Sequence, residues 1–294
     1  MLLKFVRMEI LQQHYHIIQR QRAATSPAAG ETEIILQVTE DGVRILQFIP
    51  DNQLLSGLDE IRFTRRLGPE EKMEQFRLFI PESLLSEASF SRIHLAADPP
   101  AFSLIPELLF SEESAGSLLE LAGNFNPEDG IFHEKIGPDM VLVFSSGRWW
   151  NDWARGIFQD SEISRTCNFS GLLTYASGGL PEEDALLAHI GPSTMHAFGR
   201  KNGNLCFFNR FAFRNEQDLL YYFLLSMEQS GLDPENSPVY LCGSIMSGSA
   251  GFEKISRYAG NLRFAIPPEV NSALPPSSGI RHPQYFDLLS LIKS

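Results

Sequence analysis

The sequence predicts an α/β protein of two similarly built halves, each with a mixed sheet flanked by helices. Three observations carry that prediction. Strand–turn–strand patterns around Asp41-Gly42 and Asn202-Gly203 recur about one domain length apart. Each is followed by alternating strand and helix patterns. The 294 residues, 43% hydrophobic and 20% charged, are enough to bury two cores.

The halves are assigned to residues 31–180 and 181–294, after an N-terminal extension over residues 1–30. Residues 1–7 are apolar but broken by Lys4 and Arg7, and residues 8–22 mix Glu9, Gln12, His14, His16 and Arg20 among apolar side chains. A secretory core needs roughly 7–15 uninterrupted apolar residues and a spanning helix about 18. The extension therefore reads as a short amphipathic segment joined by the loop at 23–30, with Met8 a second candidate start.

In the first half, residues 33–49 (EIILQVTEDGVRILQFI) form a hairpin. Ile34, Leu36 and Val38 alternate with Ile35, Gln37 and Thr39 to make one apolar face, and Asp41-Gly42 takes the turn. Residues 59–67 follow as a third strand. Gly68-Pro69-Glu70-Glu71 starts a helix, with proline and acids in its first turn and Met73, Phe76, Phe79 and Ile80 on its apolar side. Residues 91–97 and 102–106 read as strands and 117–121 as a short helix. DMVLVF at 139–144 is a continuous apolar strand of the kind buried on both faces of an α/β sheet, and it leads into an aromatic helix at 148–158.

The second half opens with the hairpin at 194–211, which turns at Asn202-Gly203 and returns through Leu205, Cys206, Phe207 and Phe208. Asn215 caps a helix with Glu216 and Asp218 at its positive end. Leu219, Tyr222, Phe223, Ser226 and Met227 trace its stripe, and Gly231 and Pro234 end it. A strand at 238–243 runs into the small-residue loop 244–251 and a helix at 252–258. A strand at 262–266, a loop at 267–279 and a last helix near 285–292, packed back on the body, complete the chain.

Hairpin, third strand, then alternation, occurring twice, resembles the ribonuclease-H-like plan of the actin, hexokinase and Hsp70 group. The chain is also similar to the bacterial family called domain of unknown function 3822. The similarity lies in residues 102–110 (FSLIPELLF), 207–228 with Asn209-Arg210-Phe211, 239–243, and His282-Pro283 before Phe286-Asp287-Leu288-Leu289. The resemblance implies an actin-like ATPase fold without an established activity. It also implies a cleft between the halves, with ATP and Mg²⁺ as its candidate ligands. Asp41 and Gly42 would stand at the first phosphate loop, Asn202 and Gly203 at the second, and Gly243 and Ser244 at the strand-to-glycine loop that holds adenosine.

The sequence departs from the active pattern at two of these places. Gln37 stands where the first strand usually carries Asp, and the turn gives Glu40 and Asp41 a sufficient structural reason. The segment 198–203 lacks an acid followed by small residues, and Arg200 and Lys201 beside such a turn are ordinarily solvated. Only the loop from Gly243 keeps its form. One intact motif and two degenerate ones suggest a fold retained after catalysis was lost.

Other chemistries find less support. Lys and Arg total 24 against 36 Asp and Glu, a net −12, opposite to the footprint of a nucleic-acid binder. Three cysteines make neither a disulfide framework nor a metal knuckle. His94 with Asp98, and His14 with His16, lack the further ligands that zinc needs. Ser244 and Ser247 have the wrong glycine spacing for a nucleophile elbow, and Cys242 reads as a small buried hydrophobe. Trp149, Trp150 and Trp153 either pack on the sheet or form a partner patch beside Arg148 and Arg155. Phe207, Phe208, Phe211 and Phe213 read as core.

The expectation is a cytoplasmic, catalytically degenerate protein that acts as an interaction module or scaffold through a protein partner or self-association, without nucleic acid or an integral membrane segment. The alternative is an ATP-binding enzyme or nucleotide-dependent switch. A third reading is a membrane-associated scaffold anchored by the extension.

Overall fold

The computed structural model describes residues 15–23, 30–65, 67–79, 90–158, 161–267, 272, 274, 275, 277, 279, 280 and 282–292. Strands β1 (Tyr15–Arg22), β2 (Glu33–Val38), β3 (Gly42–Ile49), β4 (Leu54–Phe63), β5 (Arg92–Ala97) and β9 (Glu162–Cys167) form one sheet in the order β1-β4-β3-β2-β5-β9. A second sheet contains β10 (Ala185–Ile190), β11 (Thr194–Lys201), β12 (Asn204–Ala212), β13 (Val239–Gly243) and β14 (Leu262–Phe264), ordered β12-β11-β10-β13-β14.

Aside from β1, the two sheets have the same plan. In each, three antiparallel strands are extended by two parallel ones: β4-β3-β2-β5-β9 matches β12-β11-β10-β13-β14 in order and in every pairing sense. Between β5 and β9 the chain inserts a three-stranded antiparallel sheet of β6 (Phe102–Pro106), β8 (Met140–Ser146) and β7 (Gly130–Ile136).

Packing explains the layers. Ile34, Leu36, Val43 and Ile45 point to one face of the first sheet, where Phe79 of helix α1 (Pro69–Phe79) and Trp150 and Trp153 of α3 (Arg148–Ile157) cover them. The two indoles stack at 4.9 Å, so they are core. Of Trp149 only the backbone is described, within α3. Helix α2 (Ala115–Ala122) packs on the inserted sheet, and α4 (Ser170–Gly178) lies between that sheet and the second one. Helices α5 (Glu216–Gln229) and α6 (Ala250–Ile255) cover the far face of the second sheet.

Several expectations need correction. The segment 1–30 is not all appendage: Tyr15–Arg22 pairs antiparallel with β4 as the outer strand. Arg22 also meets the buried Asp59 carboxylate at 2.5 Å, while residues 1–14 and 24–29 lie outside the described residues. Ile35 does not face solvent: it joins Leu46, Leu55 and Leu58 on the second face, covered by Tyr285, Leu288 and Leu289 around helix α7 (Phe286–Leu289). The chain's last described residues, counted with the second half on sequence grounds, are thus core of the first sheet. The DMVLVF run is the middle strand of the inserted antiparallel sheet rather than a parallel strand. Its Val141, Leu142, Val143 and Phe144 are buried because both faces are covered.

The largest miss is β10. Residues 185–190 (ALLAHI) are a central strand buried on both faces, with no alternation to mark them. The second half therefore opens with the hairpin β10–β11, and the Asn202-Gly203 turn joins its second and third strands.

Candidate functional site

The two opening hairpins are matched residue for residue. Val38 pairs with Val43 and Ile190 with Met195, so residues 39–42 and 191–194 form turns of equal length. One step further in, Gln37 pairs with Arg44, and His189 pairs with His196. On the adjoining parallel strands, Ala97 stands where Gly243 does, which places Asp98 in the position of Ser244. The turns meet across a cleft, with the two polar pairs at its floor.

The tips are joined directly. The Glu40 carboxylate accepts a hydrogen bond from Ser193 N at 3.1 Å, a close one from the Ser193 hydroxyl and a long one from Thr194 Oγ1 at 3.5 Å. A backbone N–H at a hairpin tip is a natural anion donor. Here its anion is a side chain of the same molecule.

Beneath Glu40, the Gln37–Arg44 pair belongs to a buried network. Gln37 Nε2 donates to Asp287 Oδ2 at 2.9 Å, and Arg44 Nη1 meets both Asp287 oxygens at 3.2 Å. Arg44 Nε lies 3.5 Å from Glu60, which accepts the Tyr285 hydroxyl at 2.6 Å. Burial opposes the Arg44 charge, but the groups around it, Asp287 and then Glu60 foremost, outweigh it and hold the guanidinium pKa above its ordinary value. Burial, then Glu60, pushes the Tyr285 phenol up. This network anchors the chain end under the first sheet.

The opposite pair is different. Among the described residues His196, with 3% side-chain exposure, has no hydrogen-bond partner at either ring nitrogen, and His189 has none at Nδ1. His189 Nε2 lies 3.7 Å from Asp287 and His196 Nε2 3.9 Å from Asp98, both beyond hydrogen-bonding reach. Asp98 Oδ1 and Asn168 Oδ1 are also buried without a partner among the described residues. Burial drives the His196 pKa well below its usual value, helped by His189 and Arg210, and lowers that of His189 against the opposing pull of Asp287. Burial raises the Asp98 carboxyl, against Arg210, His189 and Lys72.

These groups line a recess of about 40 Å³. It adjoins a chamber of about 500 Å³ between the strand ends of the first sheet, the start of α1, and the β8–α3 junction of the insert. Thr39, Glu40, Asp98 and Thr194 line both spaces.

Of the residues singled out from the sequence, Asp41, Gly243 and Ser244 line the recess. Asp41 accepts from Thr39 Oγ1 at 3.1 Å and lies 3.3 Å from Arg62. Gly243 has φ of +89°, and a Cβ there would meet the Ile190 carbonyl at 2.5 Å, so glycine is required by the close approach of β10. Gly42 begins β3, where a Cβ would clash with the Ile61 carbonyl of β4. Asn202 and Gly203 are not in the cleft. They turn at the opposite end of β11, an eight-residue strand, about 25 Å away. There Asn202 N donates to Asp184 and Gly203 N to the Glu183 carbonyl. Gly191, Pro192 and Ser193 occupy the place expected for them.

His189, His196, Asp98 and Asn168 were missed as a group. The signal was the strand β10, whose recognition would have paired the two histidines. His94 is satisfied by Glu33 and Ser164, and does not meet Asp98. Cys242 is buried, and burial raises its thiol pKa well above the ordinary value. Among the described residues no group of three or more His, Cys, Asp or Glu is placed to hold a metal, and no helix is long and apolar enough to cross a membrane.

The architecture is that of known structures. One is a protein from Bacteroides thetaiotaomicron with an actin-like ATPase fold and unknown function, 15% identical, with a TM-score of 0.70 over 90% of this chain and 96% of that one. Another is a chain of a PilM–PilN type IV pilus biogenesis complex, 12% identical, with a TM-score of 0.55 over 91% and 100% of the respective chains. No curated protein matches. A family model, DUF3822, described as a protein of unknown function, matches residues 23–262. The expected actin-like fold is therefore borne out.

Proposed function

The chain belongs to the DUF3822 family, and we propose that it is a cytoplasmic actin-fold protein that works through protein contacts without turning over ATP. One observation carries this reading: the Glu40 carboxylate occupies the donors of the second hairpin. In an ATPase of this architecture such tips would face phosphate oxygens, held with a metal. The recess behind Glu40, as distinct from the larger chamber beside it, has room for only a few waters, far less than a triphosphate needs.

The contact role is supported by the insert. Leu108, Leu109 and Leu121 are 98%, 73% and 87% exposed, and Glu107, Glu112, Glu113 and Glu120 lie beside them in the chain. Exposed apolar residues on this scale suit a surface that meets another protein. The similar chain of the PilM–PilN complex comes from an assembly, which is in keeping with a fold used for contact.

Thermal melting with millimolar ATP and Mg²⁺ tests the proposal. A ligand of the native state raises the melting temperature, so a shift below about 1 °C is expected. A rise of several degrees, or Mg²⁺-dependent turnover lost on changing Asp41 or Gly243, would establish the nucleotide-dependent alternative instead.

A further inference from the structure

The recess holds an unusual concentration of unmet polar atoms. Asp98 Oδ1, Asn168 Oδ1, both His196 nitrogens and His189 Nδ1 are buried without partners among the described residues, and all four residues line one space of about 40 Å³. A buried polar atom left unsatisfied is destabilising, so five around one space point to an occupant.

The occupant's chemistry follows from the donor and acceptor inventory. Asn168 presents an amide oxygen, which only accepts, and Asp98 accepts at both oxygens in its carboxylate form. His196 is neutral near pH 7 because burial lowers its pKa, so one of its nitrogens also accepts. Three acceptors around a space of this size match a head group with three N–H donors. The nearby cations are engaged elsewhere: Arg44 with Asp287 and Glu60, Arg210 Nη1 with the Pro99 carbonyl at 2.8 Å, and Lys72 Nζ with the Thr39 carbonyl at 2.9 Å. Among the described residues Asp98 has no ion pair closer than the neutral His196 at 3.9 Å. A positive charge beside it would favour the carboxylate that burial now disfavours.

The adjoining chamber supplies the rest of the site. At about 500 Å³ it is of small-ligand size, with Leu67, Leu95, Phe144 and Trp150 among its walls. We propose that the recess binds the primary ammonium head of a small amphipathic amine, whose apolar body lies in the chamber. Asp98, Asn168 and His196 hold the head, and Thr39, Glu40 and Thr194 line its passage. The site takes a cation with an apolar tail, not a polyanion, and the proposal is independent of the protein contacts described above.

Calorimetric titration and thermal melting of the full chain at pH 7.5 with 2-phenylethylamine test it, with 2-phenylethanol and 3-phenylpropanoate as controls. The amine is expected to bind and to raise the melting temperature by about 2 °C or more near saturation, with neither control doing so. Asp98→Asn is expected to weaken amine binding at least tenfold. His196→Leu is expected to abolish it while leaving the melting temperature of the free protein unchanged or raised, so a folded variant carries the test even if Asp98→Asn misfolds. Three results would overturn the proposal: no amine binding, equal binding of the alcohol or the acid, or full amine affinity in either folded variant.

Discussion

The two halves place a polar pair at the same register position and treat it in opposite ways. In the first half Gln37 and Arg44 are bound into a network with Asp287, Glu60 and Tyr285. In the second half His189 and His196 face the same cleft with unmet nitrogens. Apart from β1, strand order and pairing are the same on both sides, so the ladder does not account for the difference. What differs is the chain end, which brings Asp287 to the first pair. The satisfied pair is structural, while the unsatisfied pair leaves room for a ligand.

The largest test of that contrast is Arg44→Ala, which would strand Asp287 and Glu60 without their cation. Removing one partner from a buried ion network costs about 3–5 kcal/mol. Urea unfolding should show that loss, whereas His196→Leu at the matching position should lose nothing. An equal loss at both sites would erase the distinction. Next comes Glu40→Ala, which removes a charge-assisted bond to Ser193 across the cleft and should cost about 1.5–3 kcal/mol. Asp41→Ala, one residue on, breaks a half-exposed pair with Arg62 and a local bond from Thr39 Oγ1, and should cost about 1 kcal/mol.

At the far end of β11, Gly203 has φ of +77°. Gly203→Ala should cost about 1–2 kcal/mol through backbone strain, with amine binding at the cleft unchanged. A change in binding would mean that the two ends of the hairpin are coupled.

A further test lies in the pH dependence. The folded pKa of His196 is below its ordinary 6.5, so its stabilising contribution is intact above pH 6.5 and declines as pH falls towards the folded value. His189 acts in the same direction. Asp98 acts oppositely: its pKa is raised from 3.8, so its contribution is present below that value and lost as pH rises through the folded one. Equilibrium unfolding between pH 7 and 5.5 should therefore show declining stability. His196→Leu should flatten that slope by up to about 1.4 kcal/mol per pH unit, the limit for one proton.

Much of the fold was legible because its signals are local. Asp41-Gly42 between two β-rich runs marked the first hairpin, and Asn215 accepting from Gln217 N and Asp218 N is the cap its position implied. The strand β10 was not legible. Its Ala185-Leu186-Leu187-Ala188 core is buried on both faces, which removes alternation, and both residue types favour helices. That one strand displaced the second cleft turn onto Asn202-Gly203 and hid the pairing of His189 with His196. The C-terminal segment was legible as a short helix but not as the cover of the first sheet.

Taken alone, the order of residues determined the Asp41-Gly42 and Asn202-Gly203 turns, the Asn215 cap, most of the apolar runs and the family of the fold. Each of these depends on neighbours a few positions apart, where dihedral preference and side-chain periodicity act directly. Tertiary structure decided that Glu40 reaches Ser193 across 153 positions, and that Arg44 meets Asp287 across 243. It also decided that polar atoms of four residues end in one recess with no hydrogen-bond partner among the described residues. Whether a buried polar group is satisfied depends on which distant segments pack around it, and no local preference encodes that.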